Sequence, residues 1–389
     1  MKILYIVSTS CEIDGASKSF LNMINGVRAQ GNRIAVVFPD SKGLYQILKK
    51  RGILVYCYKY EFSVIPKLKS IRDYTLFFPR LIRMYLKNNR ATKQLKRLAQ
   101  DFRPDIIHTN VSPISIGYRV ASDLKIPHVY HVREYGDKDF DLNIINIKEK
   151  LKKSFTISIT KDIANYRGLK APGKDTVVYN GVLSESDIRY CSKKKPYFLY
   201  AGRLTEKKGF KLLMDAYIEY VSTSKHPFDL YVAGEAPDKG SVKLVDSIKS
   251  ILAEREISNR VKWLGVVSNV NDLMFETAAT IVPSYNEGFG RVVAEGMFNG
   301  SLIIGYDNGG IKEQLDNGVV ITGEEIGLRF KSKNELVRHL INVEKDVIDV
   351  SSYVKRSASC IQKLYTTEQH IENILNLYSL ICDNNELDS

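Results

Sequence analysis

Two glutamates, Glu287 and Glu295, stand eight residues apart in the stretch YNEGFGRVVAEG (285–296), with Gly-Phe-Gly between them. Paired carboxylates can act as general acid and general base, or as two anchors for one ligand. A glycoside-cleaving pair stands roughly 5–9.5 Å apart. Here the run TIVPS (280–284) predicts a strand, residues 286–290 a turn, and the residues from about Arg291 to Phe298 a helix. A helix rises about 1.5 Å per residue and the turn adds more, which puts the two carboxylates more than about 10 Å apart. Two contacts at different ends of one elongated ligand fit that spacing better than a shared proton. The amides of Gly288, Phe289, Gly290 and Arg291 fall at or just before the helix N-terminus, where the dipole favours anions and glycine lets a ligand approach the backbone.

Other stretches place reactive groups at the predicted carboxyl ends of strands, where open α/β sheets bind ligands. In YAGRLTEKKGF (200–210) Arg203 and Lys208 follow a buried run. An arginine grips two oxygens at once and a lysine adds a point charge, a combination suited to a diphosphate as well as to a solvated loop. GYDNGGIKEQL (305–315) repeats the arrangement with Asn308, Gly309 and Gly310 ahead of a helix carrying Glu313. In HVYHVREYGD (128–137) His131 and Arg133 close a strand. A lone histidine is more often structural than catalytic, and its place at a strand end is what speaks for function. Gly15 and Ala16, in SCEIDGASKSF (10–20), lie between a strand and a helix beginning near Ser17, either as a plain turn or as a close approach to phosphate or sugar. The G-x-G-x-x-G dinucleotide fingerprint is missing there. Asn180 and Gly181 follow another short apolar run, VVYNGV.

These residues need a scaffold, and the rhythm of the chain supplies one. Apolar runs at 3–7, 33–38, 53–58, 105–109, 128–132 and 155–159 alternate with helical patterns, and the rhythm restarts at 196–203, 228–234, 261–266, 280–284 and 301–306. That is the signature of parallel α/β architecture, written twice. A length of 389 residues agrees with two domains. The polar stretch 184–195 suggests a boundary, giving an N-terminal domain over 1–185, a C-terminal domain over 186–365, and a final helical segment, 366–389, expected to pack back on the N-terminal domain. Five scattered cysteines without C-x-x-C argue against a disulfide framework or a zinc site. The N-terminal apolar run is too short for a leader and reads as a first strand, and no stretch reaches the roughly 18 apolar residues of a membrane span. A soluble or peripheral protein of the cytosol is expected.

Taken in order, G-R-x4-K-G, then PS-x-x-E-G-F-G-x4-E, then GG-x-x-E, the C-terminal half resembles the GT-B glycosyltransferases of family 4, and the likeness extends over nearly the whole chain. It implies two Rossmann-like doubly wound domains facing each other across a donor and acceptor cleft, and a retaining, hexosyltransferase-type reaction on a nucleotide sugar. By this resemblance Arg203 and Lys208 bind the donor diphosphate, and Glu287 holds the sugar hydroxyls. Glu295 accepts from the ribose, and the Gly288–Arg291 amides contact sugar and phosphate. His131 stands near the sugar and leaving phosphate, and Gly15 and Ala16 near phosphates and acceptor. Arg133 has no firm counterpart and is taken as an acceptor-side or phosphate contact. Asn180 belongs to the NGV before the linker and is taken as a substrate contact. The chain departs from the family at Asp14-Gly15, where two glycines are common, and in GMFNGSLII after Glu295. No metal is required, since cations and helix amides can stabilise the leaving phosphate. DFD (139–141) matches the letters of a metal motif but follows the His131 loop and is read as chance. UDP is favoured slightly over GDP as the donor nucleotide.

Net charge is +13, and residues 42–103 hold sixteen Lys and Arg against three acids, an excess equal to that of the whole chain. With apolar and aromatic residues among the cations, this segment suits an anionic membrane surface. A glycan or lipid-linked acceptor of bacterial surface polysaccharide assembly is therefore expected, with the protein on the inner face of the cell membrane. A GT-B epimerase acting on a nucleotide sugar is the alternative, against which the E-x7-E site argues. Charge alone would also suit a nucleic-acid binder, but the intact donor site speaks against a nucleic-acid partner.

Overall fold

The computed structural model describes residues 1–8, 15–68, 70–136, 143–191 and 193–387. The DFD stretch and residues 10–14 of the first turn lie outside them. The chain divides into two compact units, Met1–Gly181 with Thr367–Ser389, and Val182–Thr366.

The first unit holds β1 (Lys2–Ile6), β2 (Arg33–Phe38), β3 (Leu54–Cys57), β4 (Val64–Ile65), β5 (Ile106–Thr109), β6 (His128–Val132), β7 (Asn143–Ile144), β8 (Phe155–Ser158) and β9 (Asp175–Val177). Seven of these form one sheet in the order β3-β2-β1-β5-β6-β8-β9, parallel throughout, while β4 and β7 make a small antiparallel pair. The apolar runs are continuous rather than alternating because helices cover both faces of a parallel sheet. RIAVVF, for example, is buried at all five positions after Arg33. The C-terminal helix Thr367–Leu387 belongs to this unit. Its Ile374, Leu377, Tyr378 and Ile381 share a core with Phe20, Met23 and Ile24 of helix Gly15–Ala29.

The second unit holds β10 (Lys195–Ala201), β11 (Asp229–Ala233), β12 (Val261–Gly265), β13 (Thr277–Val282), β14 (Leu302–Tyr306) and β15 (Leu328–Phe330), in the order β12-β11-β10-β13-β14-β15, again all parallel. In both sheets the strand order reverses direction, between β1 and β5 in the first and between β10 and β13 in the second. A doubly wound sheet opens a crevice at the carboxyl ends of strands flanking such a reversal.

Two helices start earlier than the glycine patterns suggest. Gly15 and Ala16 are the first residues of helix Gly15–Ala29 rather than part of the turn before it. Gly309 and Gly310 likewise open helix Gly309–Thr322, since the chain is still extended at Asn308 and turns helical immediately after it.

Candidate functional site

The groups singled out in the C-terminal half gather where β10 and β13 end side by side. Tyr200, buried and next to last in β10, donates its hydroxyl to the carbonyl of Arg203 at 2.7 Å. Burial pushes that phenol far above its usual range, with Glu287 adding to the effect, so it remains a donor. The bond fixes the backbone at Arg203 while leaving its side chain exposed. Two residues on, Thr205 caps a short turn, Glu206–Lys208, its hydroxyl accepting from the Lys208 amide at 3.3 Å.

The loop after β13 lies against this turn and against the start of helix Gly309–Thr322. The Tyr285 amide reaches the Lys207 carbonyl at 3.4 Å, the Asn308 side chain donates to the Tyr285 carbonyl at 2.7 Å, and the Gly310 amide donates to the Glu287 carbonyl at 2.8 Å. Glu287 is thus anchored through its backbone, and its carboxylate meets the Lys208 ammonium at 2.5 Å. Both side chains are half-buried.

Gly290 lies in the left-handed region, φ 81°, and caps helix Arg291–Phe298. A glycine adopts that conformation at little cost, whereas other residues strain there. Gly310 answers a different need: a Cβ there would lie 2.7 Å from the Gly288 carbonyl oxygen and from Phe289, so helix Gly309–Thr322 presses directly on the turn. Phe289 is itself buried, its ring edge-on to Tyr365, which leaves its backbone as the part able to meet a ligand. Within the helix, Arg291 donates to Glu295 at 3.0 and 3.1 Å, one turn apart. From sequence only the Arg291 amide is expected at the site. Its guanidinium in fact positions the carboxylate expected to meet a ribose.

In the first unit, His131 is fully buried on β6 and accepts from the Arg133 guanidinium at Nδ1, 3.3 Å away. An arginine can only donate, so the proton of the neutral ring sits on Nε2. That Nε2 is buried without a partner among the described residues. Burial and the neighbouring Arg133, His108 and His370 depress the imidazole far below its ordinary value, so the ring is neutral at pH 7. Arg133 also donates to Asn110 at 3.1 Å and to Asn180 at 2.7 Å. Asn180 therefore holds Arg133, and the pair sits just past the carboxyl end of β6, beside His131, the next-to-last residue of that strand.

Several groups in these constellations escaped the sequence reading. His108 lies 5.4 Å ring to ring from His131 and bonds Tyr378, while His370 reaches the Tyr179 carbonyl at 2.6 Å. Glu134, buried and accepting from Ser112, is raised by burial. Gln314, fully buried, donates to the carbonyls of Phe289 and Gly290. Its signal was legible: it stands between Ile311 and Leu315, on the face a helix turns to the core.

Residues 13–184 match the Glycosyltransferase Family 4 domain and residues 186–360 the domain of glycosyl transferases group 1, together nearly the whole chain. The uncharacterized glycosyltransferase MJ1178 of Methanocaldococcus jannaschii is 25% identical over 82% of this chain and 84% of its own length. An uncharacterized 42.6 kDa protein in the cps region of Klebsiella pneumoniae is 26% identical over 59% of this chain and 64% of its own. Among solved structures, HepE of Anabaena in complex with UDP superposes with a TM-score of 0.76 at 17% identity, covering 97% of this chain and 100% of that one. With both family domains in order, and two doubly wound sheets that carry the expected residues at their strand ends, the chain belongs to the family 4 glycosyltransferases of the GT-B fold.

Proposed function

We propose that this glycosyltransferase moves a hexose-type sugar from a nucleoside diphosphate to an acceptor hydroxyl with retention of configuration. The observation that carries the donor half is the convergence of Arg203, Lys208, Glu287 and the Gly288–Arg291 turn where β10 and β13 end, at the reversal of strand order. On this reading Arg203, Lys208 and the turn amides hold the diphosphate. Charge grows on the leaving phosphate as the glycosidic bond breaks, and preorganised donors aimed at that charge stabilise it. The same cations supply the countercharge, so the proposed reaction runs without a metal ion. Glu287 takes the sugar hydroxyls and Glu295, steadied by Arg291, takes the ribose. The acceptor attacks from the face the phosphate leaves, and the phosphate takes its proton. In the first unit Arg133 and the start of helix Gly15–Ala29 are the groups offered to substrate, and the buried His131 behind Arg133 is proposed to lie near the sugar and leaving phosphate. UDP is the favoured nucleotide; the Anabaena relative has been crystallised with UDP and with UDP-glucose.

The acceptor is proposed to be a lipid-linked glycan of bacterial surface polysaccharide synthesis, met on the cytosolic face of the membrane. The Klebsiella relative in a cps region supports this reading. So does the basic segment 42–103. The association proposed is peripheral; no helix among the described residues is long and apolar enough to cross a membrane.

The test is a thermal-shift panel of nucleoside diphosphates and nucleotide sugars. A ligand at a hundred times its Kd stabilises the native state by about 2.7 kcal/mol, a readily measured rise in Tm. UDP and one UDP-sugar are expected to give it. No shift with any nucleoside diphosphate or nucleotide sugar would remove the donor site.

A further inference from the structure

We propose that Gln314 is a positioning residue that sets and polarises the amides of the donor turn. The inference rests on the donor-site reading above and deepens it. The Gln314 Nε2 donates to the carbonyl of Phe289 and, at 3.1 Å, to that of Gly290. Each carbonyl shares a peptide plane with the next amide: Phe289 with the Gly290 N–H, and Gly290 with the Arg291 N–H. No peptide bond in the described chain is cis. In a trans peptide the C=O and N–H point opposite ways. A donor holding both carbonyls from one side therefore turns both N–H groups to the other, away from Gln314.

The clamp is needed because of Gly290. With φ at 81° and no side chain, it permits the 289–290 peptide to rotate to the opposite sense at little cost. A hydrogen bond to the carbonyl selects one orientation. It also draws electron density from the amide, which makes its N–H a stronger donor to an anion.

The placement of Gln314 is otherwise unfavourable. It is fully buried between Ile311 and Leu315, and its Oε1 is buried without a partner among the described residues. An orphaned buried carbonyl oxygen is costly, because it gives up its hydrogen bonds to water and regains none. An apolar side chain of the same size would fill the space without that cost, so the amide is present for what it donates.

The test uses the full-length protein and Gln314→Met, which keeps the length of the side chain and removes the donor. Affinity is measured for UDP and GDP and for uridine and guanosine. Whichever diphosphate the wild type binds is expected to bind the variant about tenfold more weakly, the scale of one charge-assisted hydrogen bond. The matching nucleoside, which lacks phosphate, is expected to bind both proteins equally. Equal loss for nucleoside and diphosphate, or no loss, overturns the inference. A wild type that binds neither diphosphate overturns the donor-site reading and this inference with it. Should the methionine variant not fold, Gln314→Glu gives a second reading. Protonated it donates; ionised it opposes the two carbonyls. Its diphosphate affinity relative to wild type is expected to be lower at pH 8 than at pH 6, and a ratio flat with pH overturns the clamp.

Discussion

The Lys208 ammonium and the Glu287 carboxylate, 79 residues apart in the chain, form an ion pair of 2.5 Å at the ends of β10 and β13. The two groups proposed for the diphosphate and for the sugar of the donor thus hold each other. The pair keeps both side chains in place before substrate arrives, which lowers the ordering cost of binding. It also means that a diphosphate must share Lys208 with Glu287 or take it away.

That competition sets the sign of the first prediction. Glu287→Ala is expected to lower transfer at least about 100-fold, the scale of removing a group that acts at the reacting sugar. Affinity for the bare nucleoside diphosphate should hold steady or rise a few-fold, because Lys208 is released. Turnover assays beside calorimetry separate the two effects. A matched loss of UDP affinity and turnover would show that Glu287 acts by holding Lys208 for the phosphate instead of by meeting the sugar.

Arg203→Ala should behave in the opposite way. Its side chain is exposed, with no carboxylate partner among the described residues, so removing it should change Tm by less than about 2 °C. Losing a charge-assisted contact to the diphosphate should weaken nucleoside diphosphate binding about 10–100-fold. Unaltered affinity in a titration would take Arg203 out of the donor site.

Much of the proposed donor site was legible in the sequence. Arg203, Lys208 and Glu287 sit just past apolar runs, and such runs are buried strands whose ends carry ligands. Their pairing was not legible. It depends on β10 lying beside β13, while β11 and β12 intervene in the sequence and pack on the other side. Three-residue β15 and the two-residue pair of β4 and β7 were also missed, since periodicity needs more residues than these to declare itself. His370 could not be joined to His131 from sequence: expecting the last segment to pack on the N-terminal domain does not say which of its side chains meets which strand.

The buried histidines predict an acid-sensitive fold. Burial holds His128 at about 3 and His370 at about 4, and holds His108 and His131 well below their ordinary 6.5. Folded pKa values below unfolded ones mean that unfolding takes up protons once pH drops under about 6.5. Stability is therefore fully present above that pH and is lost as pH falls toward 4. Each histidine contributes up to about 1.4 kcal/mol per pH unit, and four approach roughly 5. Glu134, raised by burial, offsets at most one proton of this. Urea unfolding between pH 7.5 and 5 should show the slope, and His370→Gln should reduce it by one proton. Stability that stays level down to pH 5 would contradict the burial of these rings. A neutral His131 also means that activity should show no titration from it near pH 6.5.

The last prediction concerns the membrane. Helices Ile71–Thr75 and Phe77–Phe102 meet at Leu76, and together they present Ile71, Tyr74, Phe78, Ile82, Tyr85 and Leu86, each more than half exposed. Their spacing of three and four residues makes one stripe along the helical surface. The C-terminal half of the longer helix instead buries Ala91, Leu95, Leu98 and Phe102 in the first unit's core, so the stripe is not a misplaced part of that core. Asp73 is taken up by Arg80, and Glu61 by Lys87 and Arg83, within a segment that keeps a large cationic excess. An apolar and aromatic stripe among cations fits the headgroup boundary of an anionic bilayer. Wild-type protein should sediment with vesicles containing phosphatidylglycerol and far less with phosphatidylcholine alone. Phe78→Asp with Ile82→Asp should lower that binding at least tenfold while leaving UDP affinity unchanged. High salt should weaken the wild-type binding without abolishing it, since the apolar part of the contact is not screened. Undiminished vesicle binding by the double variant would reject the stripe as the contact. A wild-type dimer that the same changes make monomeric would show that a second copy, and not a membrane, covers it.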